Sequence, residues 1–198
     1  PPKPITADGR EYFYRRELSD KTIDDLKLSA DSKSVHYPYY IDGELVTVKT
    51  KFLNGSGYTQ TKGGGSYLYN LDNIDWNQPV VITEGEMDTA SLYEVGIQAV
   101  SVPNGASLSG DPLQRPYIKN SIELFDTVPQ IIIATDNDEP GIALREKLAD
   151  AYGRDRCAYV EWPTGCKDAN DVLVNFDSDV LEKCISNAKQ WPIKQLQR

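Results

Sequence analysis

The chain has 198 residues, 39% of them apolar and 26% charged, with a formal net charge of −9 at pH 7. This balance is typical of a soluble globular protein with one large or two small domains. No apolar run approaches a membrane span and no signal-like segment opens the chain, so we expect neither a membrane partner nor secretion. The chain does not begin with Met, so we expect either an expressed fragment or a segment of a longer protein.

The first part of the chain predicts a small mixed α+β unit after an irregular start. Residues 1–11 are proline-rich and polar and predict a linker or a loose end. Two β-rich stretches, 35–40 and 45–52, flank Asp42-Gly43 and predict a hairpin. The next stretch, 54–66, contains five glycines and predicts a mobile loop.

From Pro79 onward, short apolar strands alternate with helices. Such alternation predicts an α/β fold with a parallel sheet that helices cover on both faces. We expect strands at 80–82, 99–102, 131–134 and 157–160, and helices at 87–95, 113–124, 142–152 and 180–188.

The acidic charge is distributed unevenly along the chain. No acidic residue occurs from Leu45 to Leu71, where Lys49, Lys51 and Lys62 form a basic stripe. The net negative charge lies in the second part, since residues 76–198 carry 19 acidic and 11 basic side chains, against 11 and 10 in residues 1–75. Because bound cations reverse the sign of an acidic pocket, this pattern is compatible with an enzyme that binds phosphates through metal ions.

Two of the predicted strands end in carboxylates. Glu84 follows the strand at 80–82, and Asp136 and Asp138 follow the strand at 131–134. The carboxyl ends of parallel strands lie on one edge of a sheet, so these acids converge if the two strands are neighbours. One such strand end alone is better explained by helix caps or first-turn charges, but two of them together, with Gly85 and Gly141, indicate a site.

Clustered carboxylates repel one another, and Mg²⁺ compensates them because it is a hard cation that takes oxygen ligands. The chemistry indicated is phosphoryl or nucleotidyl transfer. Asp88 lies about one helical turn after Glu84 and is either an additional acid of this site or an exposed helix residue.

Residues 83–88, Thr-Glu-Gly-Glu-Met-Asp, and residues 136–141, Asp-Asn-Asp-Glu-Pro-Gly, resemble the glutamate and Asp-x-Asp motifs of the TOPRIM family. That family includes primases, type IA and type II topoisomerases, OLD-family nucleases and recombination-mediator proteins. Other stretches resemble the primases among them, and the resemblance covers most of residues 12–198. Stretches 51–54, 61–63 and 68–70 resemble bacterial DnaG-type primases, and 101–106, 165–171 and 187–192 resemble bacteriophage primase–helicases and their mitochondrial relatives.

The resemblance assigns roles to residues of both parts of the chain. It implies a TOPRIM parallel sheet flanked by helices, preceded by a small mixed α+β subdomain that supplies a basic wall. It also implies a metal site for Mg²⁺, with Mn²⁺ as a substitute. The implied metal residues are Glu84, Asp136, Asp138, Asp88 and Asp168, the catalytic residues are Glu84, Asp136, Asp138, Lys51 and Lys62, and the substrate-binding residues are Lys49, Lys51, Lys62, Gly85, Asn104 and Gly105.

The implied function is synthesis of short RNA primers on a single-stranded DNA template from ribonucleoside triphosphates. A zinc-binding domain and a replicative helicase are the implied partners, fused or in trans, since the chain contains neither a Cys-x-x-Cys pair nor a GxxxxGK[ST] loop. The expected location is the cytoplasm of a bacterial or phage-infected cell, and a mitochondrion is the second choice. The expected division is a loose end at 1–11, a basic subdomain at 12–75, a TOPRIM domain at 76–175, and a helix with the start of a linker at 176–198.

Two other functions remain open at this point. The first is a TOPRIM nuclease or a topoisomerase fragment that uses the same metals for strand cleavage. The second is a nucleic-acid-binding module whose TOPRIM site has no catalytic activity. Ribonucleotide condensation would distinguish the primase from both alternatives.

Overall fold

The computed structural model describes residues 3–105 and 115–192, which form two β-sheets and the helices packed on them. The first sheet has the strand order β1-β2-β3-β4, and the second has the order β6-β5-β7-β8-β9. The strands are β1 (Ser29–Ala30), β2 (Ser34–Ile41), β3 (Glu44–Phe52), β4 (Tyr58–Gln60), β5 (Val80–Thr83), β6 (Ala99–Ser101), β7 (Ile131–Ala134), β8 (Cys157–Tyr159) and β9 (Lys189–Gln190). The α-helices are α1 (Ala7–Tyr14), α2 (Asp20–Asp25), α3 (Glu86–Glu94), α4 (Pro116–Lys119), α5 (Glu139–Tyr152), α6 (Ala169–Asn175) and α7 (Ser178–Ser186).

The first sheet is antiparallel throughout, and its centre is the predicted hairpin of β2 and β3. Asp42 and Gly43 both have positive φ, as a tight two-residue hairpin turn requires. The backbone N–H groups of both residues donate to the carboxylate of Asp72. The sequence prediction of this hairpin is confirmed.

The second sheet contains the four predicted parallel strands. β5 pairs in parallel with β6 and β7, β7 pairs in parallel with β8, and β9 adds an antiparallel edge that the sequence did not indicate. All residues of β5, β6 and β7 are buried, which explains why these strands are apolar without alternation. The α/β fold class is confirmed.

The helices differ from the prediction at three places. The expectation of a loose end over 1–11 is wrong from Ala7 onward, because the Thr6 side chain accepts from the N–H of Gly9 and begins α1. Helix α6 was not predicted. The single helix expected at 113–124 is α4 followed by a 3₁₀ helix over Ile122–Thr127, and its first two positions lie outside the described residues.

Two hydrophobic clusters form the core. One contains β5, β7, α4 and α5 residues on one side of the parallel sheet. The other joins Tyr37 and Tyr39 of the antiparallel sheet to Ala90 and Leu92 of α3. The predicted boundary between residues 75 and 76 therefore runs through a shared core, and the division into domains stays a prediction.

None of the helices in the described ranges combines the length and the apolar character that a membrane crossing needs.

Candidate active site

The first acids of the site come from two neighbouring strands, as the sequence predicts. β5 and β7 are adjacent and parallel, with Thr83 opposite Ala134. Glu84 and Asp136 follow these strands closely, and the backbone N–H of Asp136 donates to Glu84 Oε2 over 3.1 Å. The convergence at the carboxyl edge of the sheet is therefore direct.

Asp138, which the sequence predicts as a metal ligand, is also the N-cap of helix α5. Its side chain caps α5 by accepting from the N–H of Gly141 over 2.8 Å. Gly141 is required there, because a Cβ at this position would collide with the backbone carbonyl of Asp136. The start of α5 is thereby packed against the turn that carries both aspartates.

Asp88 and Asp168 complete the acidic floor. One carboxylate oxygen from each of Asp88, Asp136 and Asp168 can be chosen so that all three lie within 4.8 Å of one another, close enough to hold a metal ion. Asp88 is buried near the start of α3 and accepts from the N–H of Asn170 over 3.1 Å. Asp168 caps α6 and accepts from the N–H of Asp171 over 2.9 Å.

The electrostatics of this floor favour a bound cation. Burial, and then the neighbouring Asp136, raises the pKa of Glu84 to about 7. Burial, followed by the charges of Asp168 and Asp136, raises the pKa of Asp88 well above its usual range. Burial also raises the pKa of Asp136, against the opposing effect of Lys167, whereas the Gly141 N–H lowers the pKa of Asp138. Partly desolvated carboxylates with raised pKa values are a donor set that fits a hard divalent ion.

Lys167 is a member of the site that the sequence reasoning did not assign. Its Nζ lies 2.9 Å from Asp136 Oδ2 and 3.2 Å from Asp138 Oδ2. The lysine precedes Asp168 in the stretch that resembles primase–helicases, but nothing in the sequence indicates that its ammonium reaches another strand end.

Lys49 lies in different surroundings from those expected of a phosphate-binding lysine. Its side chain is only 8% exposed, and its Nζ lies 2.7 Å from both Glu86 Oε1 and the carbonyl of Pro103. The Tyr39 hydroxyl donates to the same Glu86 oxygen over 2.7 Å. These contacts join the antiparallel sheet to the start of α3.

A cleft of about 290 Å³ lies over the acidic floor, and it brings together most of the predicted site. Lys51 is exposed at its wall, and Tyr58 donates to Asn104 Oδ1 across it over 3.3 Å. Lys62 is exposed after β4 and is not among the described residues that line the cleft. The lining contains the predicted residues Lys49, Lys51, Glu84, Gly85, Asp88, Asn104, Gly105, Asp136 and Asp168.

Tyr12 and Arg16 also line the cleft, although the sequence gave no reason to select them. Arg16 donates to Asn170 Oδ1 over 3.1 Å, and Asn170 Nδ2 donates back to the Arg16 carbonyl over 3.0 Å. Recognition of α1 as a helix ending beside α6 would have been needed to find them.

Comparison with known proteins shows which families and structures this chain is similar to. Residues 81–173 match the family described as Toprim-like. The chain is 32% identical to the "Primase homolog protein" of Arabidopsis thaliana, with 97% of this chain and 62% of the relative covered. It is 31% identical to the "Twinkle homolog protein, chloroplastic/mitochondrial" of the same plant, with 96% of this chain and 30% of the relative covered. The chain thus spans less than two thirds of the length of either relative.

Among solved structures, the primase fragment of the bacteriophage T7 primase-helicase protein superimposes with a TM-score of 0.74. The match covers 87% of this chain and 72% of that chain at 23% sequence identity. Residues 81–173 are therefore similar to a Toprim-like domain, and the chain shares the fold of this primase fragment. The predicted fold and the predicted resemblance are confirmed.

Proposed function

We propose that this chain is the RNA-polymerase core of a DNA primase, which joins ribonucleotides into short primers on single-stranded DNA. The observation that carries the proposal is the cleft with an acidic floor of Glu84, Asp88, Asp136 and Asp168 and a basic wall that includes Lys51. The shared fold with a primase fragment supports it.

Glu84, Asp136 and Asp138, together with Asp88 and Asp168, would hold Mg²⁺ at the floor, and Mn²⁺ could replace it. When bound there, a divalent ion would supply activation of an attacking hydroxyl and neutralisation of charge on a leaving pyrophosphate. The chain itself supplies rigid placement, since Asp138 caps α5, Asp168 caps α6, and Asp136 donates its N–H to Glu84. Such fixed geometry favours in-line attack of a 3′-hydroxyl on the α-phosphate of the next nucleotide.

Lys51 and Arg16 are the cations that we assign to phosphate oxygens of the nucleotide or the template. Both line the cleft and both are exposed. We assign Lys49 to holding the wall in place through Glu86, because its ammonium is buried in that pair. Gly85 and Gly105 leave room for the substrate beside Glu84, and Asn104 lines the same cleft as a proposed substrate contact. Gly105 has positive φ, and a Cβ there would meet little besides the Glu84 carboxylate. We keep Lys62 as a template contact outside the cleft.

A helicase and a zinc-binding domain remain proposed partners, fused or in trans. The T7 structure comes from a primase-helicase protein, which supports the first of them. The sequence predicts a cytoplasmic location. The relative described as chloroplastic/mitochondrial supports an organelle as the alternative location. Imaging of the tagged full-length protein decides between the two.

The test is primer synthesis on single-stranded DNA with labelled ribonucleotides and Mg²⁺. We expect short RNA products from the native chain, and loss of at least about a hundredfold in Glu84→Gln and in Asp136→Asn, because each removes a charge that the metal requires. We expect Lys51→Ala to lose about tenfold through weaker phosphate binding.

Lys183→Ala is the matched control, since this exposed lysine on α7 does not line the cleft. Mg²⁺-dependent cutting of the template without RNA synthesis would replace the proposal with the nuclease alternative. DNA binding with neither activity, even after a zinc-binding domain is added in trans, would leave the binding module.

A further inference from the structure

The backbone of Lys167 is fixed beside the predicted metal site by hydrogen bonds on both sides. Its carbonyl accepts from the N–H of Asn137 over 2.7 Å, between the two aspartates of the Asp-x-Asp motif. Its own N–H donates to Asp171 Oδ2 over 2.8 Å. The loop before α6 therefore delivers this particular residue to the Asp136–Asp138 turn.

The side chain of Lys167, in contrast, is free to change its position. It is 53% exposed and lines the cleft, with its Nζ lying between Asp136 Oδ2 and Asp138 Oδ2. Ion pairs with this degree of exposure are weak, so the ammonium can leave without a large loss of stability.

The position of the ammonium cannot be shared with a divalent ion on the same two carboxylates. Mg²⁺ binds carboxylate oxygens at about 2.0–2.1 Å, and it usually keeps several waters around it. An ammonium at 2.9 Å and 3.2 Å from the same oxygens occupies the space of the ion or of its waters. The two cations also repel each other. Lys167 and the metal therefore cannot occupy this position at the same time.

We propose that Lys167 is the exchangeable counter-ion of this site. It pairs with Asp136 and Asp138 before the metal binds, and it releases them to the metal. Its ammonium then turns, on its anchored backbone, to the phosphates of a ribonucleoside triphosphate in the same cleft. The last step rests on the proposed function, whereas the exchange with the metal does not.

This role has a signature that a purely structural lysine would not produce. Removing the ammonium should tighten metal binding, because a competitor is lost. The same change should weaken nucleotide binding to the metal-loaded protein, because a phosphate contact is lost. The two effects have opposite signs in one variant.

The experiment compares the native chain with Lys167→Met, Lys167→Arg and the control Lys189→Met. Lys189 is similarly exposed and is paired with Glu161 over 2.6 Å, away from the cleft lining. Binding of Mn²⁺ is followed by the electron paramagnetic resonance signal of the free ion. Affinity for an α,β-methylene ribonucleoside triphosphate is then measured at saturating Mn²⁺, and thermal melting without metal verifies folding.

We expect Lys167→Met to bind Mn²⁺ about tenfold more tightly and the nucleotide analogue about tenfold more weakly than the native chain. Lys167→Arg and Lys189→Met should remain within about twofold in both measurements. Unchanged or weaker Mn²⁺ binding by folded Lys167→Met would overturn the counter-ion role alone. Absence of Mn²⁺ binding by the native chain would overturn the metal site and the proposed function with it.

Discussion

At the scale of single residues, Glu84 makes the stability of the metal-free protein depend on pH. Its pKa is raised from an ordinary value of 4.5 to about 7, first by burial and then by Asp136. An acid whose pKa is higher in the folded chain than in the unfolded chain destabilises the fold once it ionises. The contribution of Glu84 to the stability of the metal-free protein should therefore fall between about pH 4.5 and pH 7 and level off above that range.

Glu84→Gln tests this effect, because glutamine keeps the shape of the side chain and cannot ionise. In EDTA at pH 8, we expect the variant to be more stable than the native chain by on the order of 2 kcal/mol. At pH 5 the difference should shrink to about a quarter of that value, since the glutamate of the folded chain is then protonated while that of the unfolded chain is mostly ionised. Urea unfolding at both pH values measures it, and a difference independent of pH would contradict the raised pKa.

At the scale of elements, the metal site depends on how closely helices begin after strands. α5 begins at Glu139, immediately after Asp138, and Thr135 Oγ1 donates to the carbonyl of Gly141 over 2.7 Å. The closeness is possible because Gly141 has no side chain to collide with Asp136. The position of both aspartates is therefore linked to one glycine.

Gly141→Ala should destabilise the protein by about 3 kcal/mol or more, although alanine is the better helix former by about 1 kcal/mol. The reason is that the new Cβ would collide with the backbone carbonyl of Asp136, which cannot rotate away as a side chain could. Chemical denaturation gives the value. Ala143→Gly, an exposed change in the same helix, should cost only about 1 kcal/mol. A neutral or stabilising Gly141→Ala would show that the turn can move.

At the scale of the whole molecule, a buried ion pair, as well as the core, joins the antiparallel sheet to helix α3. Lys49 of β3 meets Glu86 of α3, with the Tyr39 hydroxyl on the same oxygen. Removing one partner leaves a buried charge unpaired, whereas removing both does not. The pair should therefore affect stability strongly when it is broken from one side.

Lys49→Met should cost about 3 kcal/mol in the free energy of unfolding, and the double variant Lys49→Met/Glu86→Gln should recover most of that loss. Glutamine still accepts from Tyr39 and carries no charge. Equilibrium urea unfolding of the four proteins of this cycle supplies the comparison. If the double variant were as unstable as the single one, the lysine would act through packing and not through charge.

The sequence was sufficient for the strands and the acids because both follow local rules. A buried parallel strand is apolar throughout, and its carboxyl end faces the ligand edge, so Glu84, Asp136 and Asp138 could be found without a structure. α1 was missed because prolines dominate the start of the chain, although Thr6 supplies a cap. α6 is hard to predict because the sequence favours Asp168 as a ligand, whereas in the structure it also begins the helix.

The roles of the lysines depend on long-range pairing, which periodicity does not reveal. Lys49 and Lys51 are alike in the sequence, yet the first is buried against Glu86 and the second is exposed at the cleft. Lys167 meets Asp136 across 31 positions of the chain. No local pattern connects these partners, so side-chain placement in three dimensions was required.

The core that the two sheets share has a consequence for movement of a growing polymer. Tyr37 and Tyr39 beneath the wall pack with Ala90 and Leu92 beneath the floor, so a hinge between wall and floor would have to open this cluster. Under the proposed function, the cleft would therefore keep a nearly constant width while each nucleotide is added. The growing RNA strand would then advance by thermal motion, and binding of the next nucleotide would prevent it from sliding back. A conformational change of the protein would not drive the movement.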